Sequence, residues 1–176
     1  MGVAADLSYA LPRATAVHRA VRSVAATRPG AAALARTLPT LDRTVARLTR
    51  GRTTACALLS GLPVLVLTTT GRRTGALRST QLIGVPVGDT VALLGTNFGQ
   101  AATPGWVLNL ESDPRATVGH GPRTVAVRAR AASPTERGEV LALAEQVYVG
   151  YPRYFTRARH RRVRIFLLEN ATGDGA

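Results

Sequence analysis

The segment TTTGRRTGALRSTQL, residues 68–82, carries the densest set of side chains fit for chemistry. A threonine-rich run ends at Gly71; Arg72, Arg73 and Thr74 follow, Gly75 closes the turn, and Arg78 begins the next run. Glycines let backbone N–H groups approach an anion closely, while guanidinium forks and a threonine hydroxyl donate to phosphate or carboxylate oxygens. The pattern reads as a phosphate cradle and equally as a solvated hairpin turn, where Gly and Arg are common. A second stretch, GTNFGQAATPGWVLNLESDP, leaves a strand through Gly95 and Asn97 and enters a helix bearing the only tryptophan, Trp106. Such an entry presents free N–H groups to a ligand, although simple core packing also accounts for the indole. A third set, Tyr148, Tyr151 and Tyr154, is spaced by three just after a helix and suits a site, a core or a surface turn.

Other chemistries lack their residues. His18, His120 and His160 lie far apart, without metal-type spacing to one another or to Cys56, so no metal site is expected. The chain has no G-x-S-x-G elbow, no dinucleotide fingerprint and no Walker loop. With no side-chain nucleophile in view, the chemistry points to a cofactor that the protein holds and orients.

In order and spacing, TTTGRRTGALRSTQL, TNFGQ, PGWVLNLESDP and VYVGYPRYF resemble the deazaflavin-dependent nitroreductase family over about Leu62 to Glu169. The resemblance implies a split β-barrel related to FMN-binding barrels, with coenzyme F420 as cofactor and FMN as the secondary candidate. It places Arg72, Arg73 and Thr74 on the cofactor's phosphate and acidic tail. Arg78, Ser79 and Thr80 continue along the next strand, extended by Gln81, Leu82 and Ile83. Leu94, Gly95, Thr96 and Asn97 would lie by the ring system, and Gly105, Trp106, Val107, Leu108 and Asn109 would complete that wall. Tyr151 and Tyr154 would close the substrate side. The implied reaction passes a hydride from reduced deazaflavin to a quinone, nitroaromatic or activated alkene, with Thr96 or a tyrosine hydroxyl steadying the charge that develops on the acceptor. Three departures stand out: Val107 replaces a frequent aromatic, Asn97 sits where Lys can occur, and Val149 replaces a common Pro. The alternative is a non-catalytic deazaflavin or flavin carrier on the same barrel.

These groups need a frame. The chain has 176 residues, 45% of them hydrophobic, enough for one sizeable core. Every one of its 23 cationic side chains is Arg, against 10 acids, so its net charge of +13 cannot titrate away and favours an anionic partner. Nucleic acid is not expected, because the basic stretches lack interleaved aromatics and any reading motif. A single cysteine excludes an internal disulfide and fits a cytoplasmic protein. The start does not read as a secretory signal, and the longest apolar run, Ala55 to Leu67, falls short of the roughly 20 residues of a membrane span.

Residues 1–61 read as a basic helical appendage, 62–170 as the barrel and 171–176 as a disordered tail. Within the appendage Pro39 suits a first helical turn, Leu41, Val45 and Leu48 form an apolar stripe, and Gly51 stops the helix. That helix, residues 39–50, is a candidate for peripheral contact with an anionic membrane at the inner face of the cell membrane. From Leu62 the period becomes two, and strands are expected at Pro63–Thr70, Arg78–Val87, Thr90–Thr96, Arg115–Gly119, Arg123–Ala131 and Arg162–Glu169. Helices are expected from Ser133, through a capping box with Glu136, and from Pro104 to Glu111, capped by Thr103. The expectation is a mainly β (α+β) domain, a small barrel of about six mostly antiparallel strands with two or three flanking helices, monomeric or homodimeric.

Overall fold

The computed structural model describes residues 2–11, 15–48, 61–148 and 150–171. Gly51, Cys56, the 55–60 part of the apolar run, Val149 and the tail 172–176 lie outside the described residues. Seven antiparallel strands form one sheet: β1 (Leu65–Thr70), β2 (Leu77–Leu82), β3 (Val85–Val87), β4 (Thr90–Leu94), β5 (Arg115–His120), β6 (Arg123–Ala131) and β7 (Ile165–Asn170). Their order is β2-β1-β5-β6-β7-β4-β3. The run expected as one strand from Arg78 to Val87 is two, broken at Ile83 and Gly84. Those two residues carry the chain from one edge of the sheet to the other, so the sheet must curl until its edges nearly meet. Gly84 sits at the seam, where a Cβ would come within 2.4 Å of Val91 and 2.8 Å of Leu65. The Tyr9 hydroxyl locks it there, accepting from Gly84 N at 3.0 Å with the Gly84 and Pro63 carbonyls at 3.0 and 3.1 Å as its acceptors. Burial pushes this phenol's pKa up, so it stays protonated as a donor.

Alternation along the strands sends Leu65, Leu67, Val118, Val127, Leu168 and Leu93 into the curl. The interior is plugged by α1 (Val3–Asp6), through Val3 and Leu7, and by α4 (Gly105–Ser112), through Trp106, Val107 and Leu110. The first residues are therefore barrel core, whereas the sequence reading places them in the appendage; α1 is tied in by Ala4 N donating to Asp89 O and by Asn170 Nδ2 donating to Asp6. The opposite face of β7, β4 and β3 is covered by α5 (Pro134–Val147) and α6 (Tyr151–Arg157), whose Val140, Ala144 and Tyr151 meet Val85, Ala92 and Leu167. The capping box of α5 forms as the sequence predicts, Ser133 Oγ accepting from Glu136 N. By contrast α4 begins after Pro104 with no side-chain cap, so Thr103 does not cap it.

The basic segment forms α2 (Ala16–Ala25) and α3 (Arg28–Leu48). Pro39 lies inside α3 rather than at its start; Pro29 holds the first-turn place, and Thr27 caps it, its hydroxyl accepting from Gly30 N. No helix among the described residues is long and apolar enough to cross a membrane.

Candidate functional site

The turn between β1 and β2 is built from its own backbone. Gly71 N donates to Ala76 O at 2.8 Å, Thr74 N and Gly75 N both donate to Gly71 O, and Ala76 N donates to the Thr74 hydroxyl. Gly75 takes φ +67, which glycine adopts without strain. Arg72 N donates to Asn109 Oδ1 at 3.1 Å, and Asn109 Nδ2 donates to the buried Thr69 hydroxyl at 2.9 Å. The amide orientation is forced, because a backbone N–H can only donate and so must face the oxygen. Asn109, placed by the sequence on the ring wall, is thus the pin that fixes the hairpin to α4. Of the turn's N–H groups only that of Arg73 has no partner among the described residues, so a backbone cradle is not what this turn offers. It offers side chains. Arg72, Arg73 and Arg78 are exposed, take part in no described ion pair, and have no acid nearby in sequence from Gly71 to Gly88. Arg78 lies over Gly71, its Cγ about 3.5 Å from where a Gly71 Cβ would stand. Three fixed positive charges with no ion-pair partner among the described residues suit a polyanion of phosphate and carboxylates.

Strand alternation divides the rest of the expected tail-binding run. Arg78, Thr80 and Leu82 stand opposite Thr69, Leu67 and Leu65, on the α4 side of the sheet. Ser79 and Gln81 pair with Thr68 and Val66 on the other face, where the Ser79 and Thr68 hydroxyls bond at 2.9 Å. Gln81 Oε1 is buried without a hydrogen-bond partner among the described residues. Ile83 packs under α5 and α6.

Past β4 the chain makes a tight loop, with Asn97 (φ 48) and Phe98 (φ 54) in the left-handed region. Asn tolerates this conformation; for Phe98 it costs on the order of 1–3 kcal/mol. The surroundings hold it: Arg161 donates to Gly95 O at 3.0 Å, Thr96 O at 2.9 Å and Gln100 O at 3.2 Å, while Phe98 meets Tyr154 edge-on at 6.0 Å. Asn97 gives its amide to Ala102 O. Arg161 is a residue that sequence reasoning missed, since one Arg in RARHRRVR carries no local signal. Leu94 points into the core under α5 and α6, and Thr96 is buried. Gly95 is required: a Cβ there would lie 2.8 Å from Val107.

On α4, Trp106 is core rather than wall, 6% exposed and edge-on to Phe166 at 6.1 Å. Val107 is buried beneath it, which leaves Gly105 exposed and Leu108 half-buried to face solvent. The tyrosines are also enclosed. Tyr151 donates to Ile83 O at 3.3 Å, and Tyr154 donates to Ala25 O at 3.1 Å and lies 2.9 Å from the Tyr148 hydroxyl. Burial first, then the Tyr148 hydroxyl, raises the Tyr154 pKa. The α2–α3 connection seals this corner, with Arg157 donating to Ala26 O and Thr27 O while stacked 5.0 Å from the Tyr154 ring.

Fold and hairpin together define a split-barrel protein with three exposed, acid-free arginines at one edge of its sheet. The chain belongs to the F420H(2)-dependent quinone reductase family, whose profile matches residues 40–170. It is 33% identical over 72 residues to the F420H(2)-dependent quinone reductase Rv1261c of Mycobacterium tuberculosis, covering 41% of this chain and 48% of that protein. The chain thus spans about half the length of the curated relatives it matches. Among solved structures it is similar to the F420-H2 dependent reductase FDR-A, at TM-score 0.56 and 28% identity, over 61% of this chain and 94% of that one. A structure described as a domain-swapped dimer matches at TM-score 0.58 and 25% identity, over 74% and 98% of the two chains.

Proposed function

We propose that this chain is a reductase using F420H2 to reduce an electron-poor small molecule, with quinones as the leading acceptor class. The observation that carries the reading is the acid-free hairpin of Arg72, Arg73 and Arg78, pinned to α4 through Asn109. When bound, reduced F420 supplies the hydride. The three guanidiniums and the Thr74 hydroxyl take the anionic tail, and the pinned turn holds them in place before binding, which limits the ordering cost. Gly105 and Leu108, on the same helix as Asn109, flank the ring on the outside, with Trp106 and Val107 supporting them from within. The Thr96 region steadies charge growing on the acceptor. Tyr151 and Tyr154 serve the site by holding the loop and the covering helices; to give up a proton each would first leave its carbonyl partner.

The test is a fluorescence titration of F420 with Arg72→Ser/Arg73→Ser. Loss of two charge-assisted contacts at about 1.5 kcal/mol each weakens binding by about 100-fold; an unchanged titration refutes the assignment. Oxidation of F420H2 followed by absorbance against a quinone panel separates an enzyme from a carrier. For the cell we propose a cytoplasmic protein, with Leu41, 46% exposed on α3, supporting contact between residues 39–50 and anionic membrane; sedimentation with anionic vesicles tests it, and pelleting that survives removal of this helix sinks it.

A further inference from the structure

A cleft of about 470 Å³ lies apart from the hairpin, between α5, α6 and the connector that leads to β7. Its floor is apolar, formed by Leu141, Phe155 and Val163, and its rim is cationic, with Arg137, Arg159 and Arg162. The sequence behind the rim, Arg157 to Arg164, holds five arginines and no acid. The ion pairs among the described residues engage Arg115, Arg130 and Arg164 and none of the rim arginines.

No ion pair among the described residues offsets this crowding at the rim. Arg137 is partly withdrawn from water, donating to Val163 O at 2.8 Å, and burial and then the neighbouring Arg162 lower its pKa. Like charges gathered over an apolar floor are compensated by an anion from outside, which gains strength from the reduced solvent screening. The acid at the rim, Glu145, is two helical turns along α5 from Arg137, about 12 Å at 1.5 Å per residue. The cleft therefore has a cationic end at Arg137 and Arg162, with apolar lining between that end and the acid. A volume of this size is in the range of small-ligand sites.

We propose that this cleft binds an amphipathic anion, a carboxylate or phosphate carried on a short apolar chain. Charged head and apolar chain are both needed, because the rim arginines alone are a solvated surface and the floor alone is small. Arg161 lines the cleft and also holds the Gly95–Gln100 loop, so the two regions share one residue.

The test is isothermal titration of the full chain, without F420, at about 0.15 M salt. Decanoate and decyl phosphate below their micelle concentrations are compared with acetate, inorganic phosphate and decyltrimethylammonium. Saturable binding of a chain-bearing anion is expected, with at least about tenfold weaker binding of the headgroup alone and of the cation. Arg159→Glu/Arg162→Glu should weaken binding by about tenfold or more, while Arg36→Glu/Arg128→Glu, an equal charge change elsewhere, leaves it within about twofold. Phe155→Ser, which keeps every charge, should weaken the decyl ligands only. Equal losses in the two charge variants, equal binding of the cation, or no saturable binding overturns the proposal. Phosphatidylglycerol vesicles distinguish the source. Vesicle binding lost in Arg159→Glu/Arg162→Glu assigns the anion to a lipid headgroup, and decyl phosphate binding without vesicle binding assigns it to a free molecule.

Discussion

Asn109 is where stability and binding meet. Its oxygen accepts from Arg72 N at 3.1 Å and its amide donates to Thr69, a residue 1% exposed. Asn109→Leu keeps the branched shape and removes both bonds, stranding a part-buried N–H and leaving the enclosed Thr69 hydroxyl only its 3.5 Å donation to Arg78 O. At about 1–2 kcal/mol for each unmet group, the loss is about 2–4 kcal/mol. For a chain of this length that is a Tm fall of roughly 5–10 °C. Thr69→Val in the same background takes away one of the stranded groups, so the double variant should be more stable than the sum of the singles by about 1 kcal/mol. Freed from its pin, Arg72 should also hold F420 several-fold more weakly, read in the same fluorescence titration. A Tm within about 1 °C of the parent, or strict additivity in the cycle, would refute the account of Asn109 as a pin.

Three further outcomes are expected. Gly95→Ala forces a Cβ against Val107 and should cost about 1–3 kcal/mol in urea melts, with part of the loss recovered by adding Val107→Ala. Arg161→Met removes three bonds to carbonyls and should raise the rate of limited proteolysis within residues 95–100 as well as the Kd for F420; unchanged cleavage would mean that the loop holds itself. Glu136 is bound by both nitrogens of Arg130 and by Ser133 N, which together hold its pKa down to about 2. A carboxyl lowered on folding stabilises above its ordinary pKa of 4.5, and the contribution is lost as pH falls from there towards about 2. Glu136→Gln should therefore flatten acid unfolding over that window, and a wild-type-like profile would count against the pairing.

The sequence makes local order legible and leaves closure hidden. Period-two runs bounded by Gly or Pro locate five of the expected strands, and Ser133 with Glu136 locates α5, because each signal is contained within a few residues. The break at Gly84 is marked locally only by Gly84 and Pro86, which do not say where the chain goes next; it is held by Tyr9, 75 residues away, and by the side chains of Leu65 and Val91. The same long-range contact explains why residues 2–9 look like appendage and pack as core. At the site, the charge of the hairpin is visible in GRRTG, while the assignment of Asn109 and Trp106 depends on which face of α4 meets the sheet. Eight residues with apolar side chains on most faces do not disclose that. The tyrosines stay open between core and site for a similar reason, since spacing by three cannot tell a phenol that faces a ligand from one that faces Ala25 O.

How the barrel closes also accounts for where the arginines are. β2 and β3 are the two edges of the curled sheet, each paired on one side only. An exposed edge invites pairing with another chain, and fixed charge along it opposes that. Arg78 on β2, with Arg72 and Arg73 at its leading turn, supplies such charge without any acid to neutralise it. The same three groups, held by a turn most of whose N–H donors are taken within it or by Asn109, remain available to an anion. The charge that guards this edge is thus the same charge that the proposed F420 tail site uses, and the Asn109 pin fixes the turn that carries it to α4.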